Sequence, residues 1–291
     1  VAQASDLPPW LDRASYPWTP RTFDTSEGRM RYLDEGEGPA VLLVHGTPSW
    51  SFEWREVVRA LAPRHRVIVP DHLGFGLSDK PDAPEILAPA DHARRLRALV
   101  SALELRDLVL VVHDFGGPIG LPLALEEGSR VRAVVVTNTW MWAHEDPKVA
   151  RLSRFVASPL GRWLYRRLNA SPRWLVPSSM GDRRKLTRDA HRHYLAPFGS
   201  WAERAAPWKL GVELAGSSPY YASLWAKRSA LASLPLEIVW GTRDPAFTKR
   251  ELEQWQQSFP HARTHTLDVG HFVAEEAPQE LASVIASVAS R

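Results

Sequence analysis

The chain has 291 residues, 44% of them hydrophobic, enough for one large domain, or a core with an insertion, that buries most of its apolar surface. It has no cysteine, which excludes disulfides, thiolate zinc sites and thiol nucleophiles. No apolar run approaches the roughly 18 residues of a membrane span and no leader peptide is visible, so a cytoplasmic globular protein is expected. The formal charge of +3 hides an asymmetry: residues 148–209 hold 14 basic and 3 acidic side chains, a net of +11 that leaves −8 for the rest. No nucleic-acid recognition motif accompanies this basic stretch, so solvated arginines on a helical insert are expected rather than a nucleic-acid partner.

In chain order, Arg21 to Thr25 and Met30 to Asp34 flank the turn Ser26-Glu27-Gly28 and read as an edge hairpin. Buried strands follow at Val41 to Val44, Arg66 to Val69, Leu108 to Val112, Arg132 to Val136 and Leu236 to Trp240, each a short β-rich run bounded by turn residues. Between and after them, Phe52 to Leu61, His92 to Leu103, Gly116 to Glu127 and Glu276 to Val288 repeat apolar residues at three- and four-residue spacing and predict helices. This alternation is that of an α/β protein with a doubly wound, mostly parallel sheet. From about Ala143 to Ser233 the rhythm stops; Arg, Trp and Pro punctuate short helical patterns without a strand. We therefore divide the chain into core residues 1–142, an inserted helical cap at 143–233, and core residues 234–291.

The stretch VVHDFGGPIG, residues 111–120, places Asp114 between a buried strand and a glycine-led helix. That strand-turn-helix context is a nucleophile elbow, where small residues permit a strained turn that exposes one side chain at the carboxyl end of the sheet. Taken alone, Asp114 also reads as a helix cap. A carboxylate nucleophile is already ionised near neutral pH, but its attack on carbon leaves an ester, so the base must activate water. His271, in DVGHFVAEE after the strand-like Arg263 to Leu267, suits that task. Asp244, in WGTRDPAF beyond Leu236 to Trp240, can orient His271; alone it also reads as a turn aspartate before Pro245. His191 and His193 lack a carboxylate cluster, so surface positions are expected and no metal site is assigned.

HGTPSWSFEWR, PDHLGFGLSDKP, VVHDFGGPIG, TNTWMW, WGTRDPAF and VGHFVAEEAP occur in that order. Together they resemble the α/β-hydrolase superfamily, and specifically its haloalkane dehalogenase-like group beside the epoxide hydrolases and β-lactone decarboxylases. The resemblance covers nearly all of the chain outside the cap. It implies an α/β-hydrolase fold, Asp114 as nucleophile, Asp244 as acid, His271 as base, and an oxyanion hole from the backbone N–H groups of Thr47 and Phe115. It implies no cofactor, and as partners a small apolar halogenated alkane and water. Two positions depart from the pattern: Phe115 stands where many of these dehalogenases have Trp, and Thr47 where some have Asn. A departing halide needs N–H or O–H donors, which Phe cannot give. Trp140 or Trp142 can supply an indole from another direction, with packing in the cap as the alternative for either, and Thr47 can offer a hydroxyl.

Epoxide hydrolysis would use the same Asp and His with a phenol donor, for which Tyr194 is the first choice among Tyr165, Tyr194, Tyr220 and Tyr221. A β-lactone decarboxylase shares the Asp/His apparatus. Serine-esterase chemistry is disfavoured because residues 102–128 hold Asp114 at the elbow and no serine before Gly128. A non-enzymatic reading takes the basic, aromatic stretch Arg151 to Val176 as a contact for an anionic membrane or a partner protein. The reading adopted is hydrolytic dehalogenation through a covalent aspartyl ester.

Overall fold

In the computed structural model, which describes residues 7–290, the β-branched and aliphatic runs pair into one eight-stranded sheet. The strands are β1 (Arg21–Thr25), β2 (Gly28–Glu35), β3 (Ala40–Val44), β4 (Arg66–Pro70), β5 (Leu108–Asp114), β6 (Val131–Thr139), β7 (Leu236–Gly241) and β8 (Arg263–Leu267). Their spatial order is β1-β2-β4-β3-β5-β6-β7-β8. Only β1/β2 and β2/β4 are antiparallel; β4, β3 and β5 through β8 run parallel.

Continuous apolar strands follow from burial on both faces. Along β5, Leu108, Leu110 and Val112 enter one core while Val109 and Val111 enter the other. Helices Pro89–Ala102 and Gly116–Gly120 cover the first face through Leu96, Leu99, Val100 and Ile119. Helices Arg55–Leu61 and Pro278–Ala289 cover the second through Val57, Val58, Leu281 and Ile285.

Between β6 and β7 every described element is a helix, joined by loops. Its helices include Pro147–Ala157, Pro159–Leu168, Arg188–Leu195, Ala205–Gly216 and Ser218–Ala226. Asp146 and Ser158 start two of them by accepting from Lys148 and Gly161 N–H groups, each followed by a proline whose missing donor costs nothing in the first turn. None of the described helices is long and apolar enough to cross a membrane.

Two helices differ from the sequence expectation. The run Gly116 to Glu127 is divided into Gly116–Gly120 and Pro122–Glu126. Pro122 has no N–H to give the carbonyl four residues back, and that Pro118 carbonyl accepts instead from the Tyr220 hydroxyl at 2.8 Å. The run Glu276 to Val288 likewise begins afresh at Pro278. Helix Lys249–Ser258, which hydrophobic spacing did not suggest, is announced by a capping box: Thr248 and Glu251 satisfy each other's backbone N–H groups.

The chain runs from β3 outward to β4 and then returns to the other side of β3 as β5. The crevice above β3 and β5 is therefore the switch point where open α/β sheets bind ligands. Gly116 lets the helix after β5 approach β3: a Cβ there would stand 2.2 Å from the Val44 carbonyl oxygen. Gly116→Ala should cost about 1–3 kcal/mol through overpacking, read as a lowered denaturation midpoint; an unchanged midpoint would contradict this close approach.

Candidate active site

Asp114 ends β5 with φ +52°, in the left-handed region, and the next residue, Phe115, is already helical. Such a backbone costs a non-glycine residue roughly 1–3 kcal/mol and persists only when its surroundings impose it. Here Thr139 Oγ1 donates to the Asp114 carbonyl at 2.5 Å, and Thr47 N–H donates to Asp114 Oδ1 at 2.7 Å. Gly46 makes the second contact possible, because a Cβ at that position would stand 2.1 Å from Oδ1. The Phe115 N–H also bonds the carboxylate.

His271 stands across the crevice. Its Nδ1 lies 2.7 Å from Asp244 Oδ2, and its Nε2 lies 3.7 Å from Asp114 Oδ2, beyond hydrogen-bond length. Asp244 is further fixed by Ala246 N–H on Oδ1 at 2.7 Å and Asn138 Nδ2 on Oδ2 at 2.8 Å, with Asn138 itself tied to the Gly241 backbone. The main chain of His271 is held too, its N–H by the Ser179 carbonyl and its carbonyl by His113 Nε2 at 2.9 Å. Behind His113, Glu53 lies 2.6 Å from Nδ1, both side chains being buried. Glu276 accepts from the N–H groups of Gly270, Gly181 and Asp182, binding the histidine loop to the insertion.

Asn138, Glu53, His113 and Glu276 were not found from the sequence. Asn138 carries the one local signal, an asparagine at φ +36° in TNTWMW just where β6 ends. Glu53 and His113 are 60 residues apart and look like ordinary helix and strand residues until the sheet brings them together.

Burial pushes the Asp114 carboxyl above its ordinary range, opposed by His271, His113 and the Phe115 and Thr47 N–H groups. Burial also acts to raise Asp244, but the charge and hydrogen bond of His271, with the Ala246 and Phe247 N–H groups, outweigh it and leave Asp244 lowered. For His271 burial favours the neutral ring, and the charges of Asp244 and Asp114 outweigh it, raising the imidazole to about 9. The direction follows from a cation placed between two carboxylates. Removing the charge of Asp114 would therefore lower His271 again.

Trp140 is fully buried with its indole edge-to-face on Phe115 at 4.7 Å between ring centres, and its Nε1 has no hydrogen-bond partner. Trp142 instead packs on Trp225 and Trp255. Thr47 Oγ1 is likewise buried without a partner. The tyrosines sort differently from expectation. Tyr194 donates to Glu275 at 2.9 Å, while Tyr220 and Tyr221 donate to the carbonyls of Pro118 and Glu213. Tyr165 is the phenol left over: burial raises it to about 12, and the charge of Asp114 adds to the shift. His193 is also not at the surface; it is buried, with Nδ1 on the Asp189 carbonyl and Nε2 accepting from Asp12 N–H. Among the described residues no group of three His, Cys, Asp or Glu side chains is placed to hold a metal.

A partly open cavity of about 730 Å³ lies between the insertion and the loop after β7, lined by Leu152, Leu214, Trp225 and Phe247 among others. Phe247 separates it from the site: its ring stacks on His271 at 5.5 Å and on Trp140 at 5.3 Å.

Residues 39–278 match the family model of the alpha/beta hydrolase fold. The chain belongs to the α/β-hydrolase family. Within it the chain falls in the haloalkane dehalogenase-like group and is a hydrolase. It is 34% identical over 277 residues to haloalkane dehalogenase 2 of Mycobacterium tuberculosis, covering 94% of this chain and 96% of that one. It is 35% identical over 264 residues to a cis-3-alkyl-4-alkyloxetan-2-one decarboxylase of Shewanella oneidensis, covering 87% and 82%. Among solved structures, a haloalkane dehalogenase from Bradyrhizobium elkani superposes with a TM-score of 0.82 at 25% identity, over 94% of this hydrolase and 99% of that chain.

The raised His271 makes a prediction for stability. A histidine whose folded value lies above its unfolded one contributes stability that is complete below the unfolded value, about 6.5, and is lost as pH rises through about 9. The gap in Tm between the wild type and His271→Gln should therefore shrink from pH 6.5 to pH 10. A gap that is constant or widens over that range would contradict the double-carboxylate environment.

Proposed function

We propose that this hydrolase cleaves carbon–halogen bonds of apolar haloalkanes through an ester on Asp114. The observation that carries the reading is the division of labour between the two oxygens of Asp114. Oδ1 is held by the Thr47 N–H, whereas Oδ2 faces the crevice and His271 Nε2 without a hydrogen bond to it.

In the first step Oδ2 attacks the halogen-bearing carbon, the carbon–oxygen bond forms as the carbon–halogen bond breaks, and halide leaves with the bonding pair. Negative charge passes from Asp114 to the halide. His271 then loses one of the two carboxylate charges that raise it, so the ring is released toward the neutral form that can act as a base. In the second step Nε2 takes a proton from water as the oxygen attacks Cγ of the ester. The tetrahedral oxyanion develops on Oδ1, which the Thr47 N–H already holds, and the Phe115 N–H bonds the same carboxyl group. Collapse expels the alcohol oxygen, which takes a proton, and one proton leaves for each halide. Asp244, ionised and fixed by Asn138 and Ala246, stabilises the imidazolium between these events.

Phe115 offers no N–H to the halide, and the unpartnered indole of Trp140 beside it takes that place in this reading. Thr47 Oγ1 is a second free donor. A β-lactone decarboxylase is the second reading, favoured by the 35% identical relative of that name and by the lack of an indole directly after the nucleophile.

Purified protein given 1-bromobutane and 1-bromohexane should release bromide and alcohol in equal amounts, and Asp114→Ala should release none. Trp140→Phe should slow bromide release roughly 10- to 1000-fold, the range for losing a transition-state donor, while Trp142→Phe leaves it within about twofold. Equal rates in the two tryptophan variants would remove Trp140 from the site. Carbon dioxide from a dialkyl β-lactone, with no bromide from any bromoalkane, would establish the second reading instead.

A further inference from the structure

Every large apolar side chain that the described residues leave exposed belongs to the helical insertion. Four of them stand on two consecutive helices: Leu152 and Phe155 on Pro147–Ala157, and Leu160 and Trp163 on Pro159–Leu168, each 45 to 57% exposed. The three-residue spacing puts each pair on one helix face. The opposite faces are already used. Ser153 donates to the Val212 carbonyl, Trp208 Nε1 donates to the Val156 carbonyl at 2.9 Å, and Val156 and Gly161 are buried. The outward apolar residues therefore contribute nothing to the core of the protein.

The same faces are strongly basic. Residues 147–181 contain seven basic side chains and no acidic one. Lys148, Arg151, Arg154, Arg162 and Arg167 are exposed, and among the described residues no carboxylate is paired with any of them. Arg166 is the exception, being buried against Asp82 and beneath Trp201. A solvated helix face gains from arginine but not from Leu160 and Trp163, and an apolar protein contact gains from the leucines but not from unpaired arginines. Both are satisfied at once where anionic headgroups overlie acyl chains, with tryptophan at the boundary. A second copy of the same face would set positive charge against positive charge.

We propose that the outer face of helices Pro147–Ala157 and Pro159–Leu168 docks the protein on an anionic lipid bilayer. Leu152 belongs both to this face and, with Lys148 and Val149, to the wall of the 730 Å³ cavity, so the docked face reaches the cavity rim. Docking stands on this surface alone and does not depend on the reaction proposed above.

Flotation of the full chain with vesicles of equal phosphatidylcholine and phosphatidylglycerol tests the docking. At about 50 mM salt the protein should float with these vesicles and not with pure phosphatidylcholine; at about 500 mM, where exposed charges are screened within a few ångströms, binding should fall at least tenfold. Phe155→Ser/Leu160→Ser/Trp163→Ser should abolish flotation while circular dichroism and Tm match the wild type. Should that variant fail to fold, Arg151→Gln/Arg154→Gln/Arg167→Gln should weaken flotation at least tenfold, with the fold checked in the same way. Three results would overturn the proposal: no flotation at low salt, equal flotation with pure phosphatidylcholine, or flotation that survives the substitutions in a folded variant. Self-association that depends on the three apolar residues, without vesicle binding, would assign the face to a second copy.

Discussion

The site is organised around one costly arrangement, a buried carboxylate on a left-handed backbone. Asp114 is held there by the Thr47 N–H on one oxygen and the Thr139 hydroxyl on its carbonyl. Both contacts require the glycines of the neighbouring turns, since a Cβ at Gly46 would collide with the carboxylate and one at Gly117 would come within 2.0 Å of Thr139 Oγ1. The parallel pairing of β3, β5 and β6 sets those turns side by side. The sheet thus holds a strained carboxylate through contacts from three neighbouring strands and their turns.

His271 depends on the same carboxylate electrostatically. Its ring lies between Asp244 and Asp114, and this placement outweighs burial in setting its protonation. Loss of charge on Asp114 would be felt directly at Nε2, which in the proposed reading ties the order of the two steps to a change in one pair interaction. The supporting shell is polar and buried: His113, Asn138 and Glu276 reach the histidine, its loop or its partner, and Glu53 backs His113. Each fixes an orientation that the reaction in this reading requires to within a hydrogen bond.

Much of the architecture was legible because the strands are buried on both faces and so appear as uninterrupted runs. Leu108 to Val112 and Leu236 to Trp240 were found within two residues of their observed ends. The elbow was legible for a local reason, the glycines that follow Asp114. Helix breaks were less visible: Gly116 to Glu127 keeps its apolar spacing across Pro122, and only the Tyr220 hydroxyl shows where the freed carbonyl goes. Tyr194 is the first-choice phenol by sequence, and its hydroxyl donates to Glu275, a residue 81 positions away that no local signal connects to it. His193 was misplaced at the surface because its partners, Asp12 N–H and the stacked Phe52, come from distant segments. Local signals reveal strands and turns; polar pairing across the chain becomes visible only once the sheet has assembled.

In the proposed reaction Asp114 forms the ester and His271 clears it. Intact and peptide mass spectrometry of His271→Phe after exposure to 1-bromohexane tests it most directly. A single added hexyl group on Asp114 with one equivalent of free bromide is expected, and no adduct when Asp114→Ala is added. Turnover of the bromoalkane by His271→Phe at the wild-type rate, or an adduct on any other residue, would contradict it.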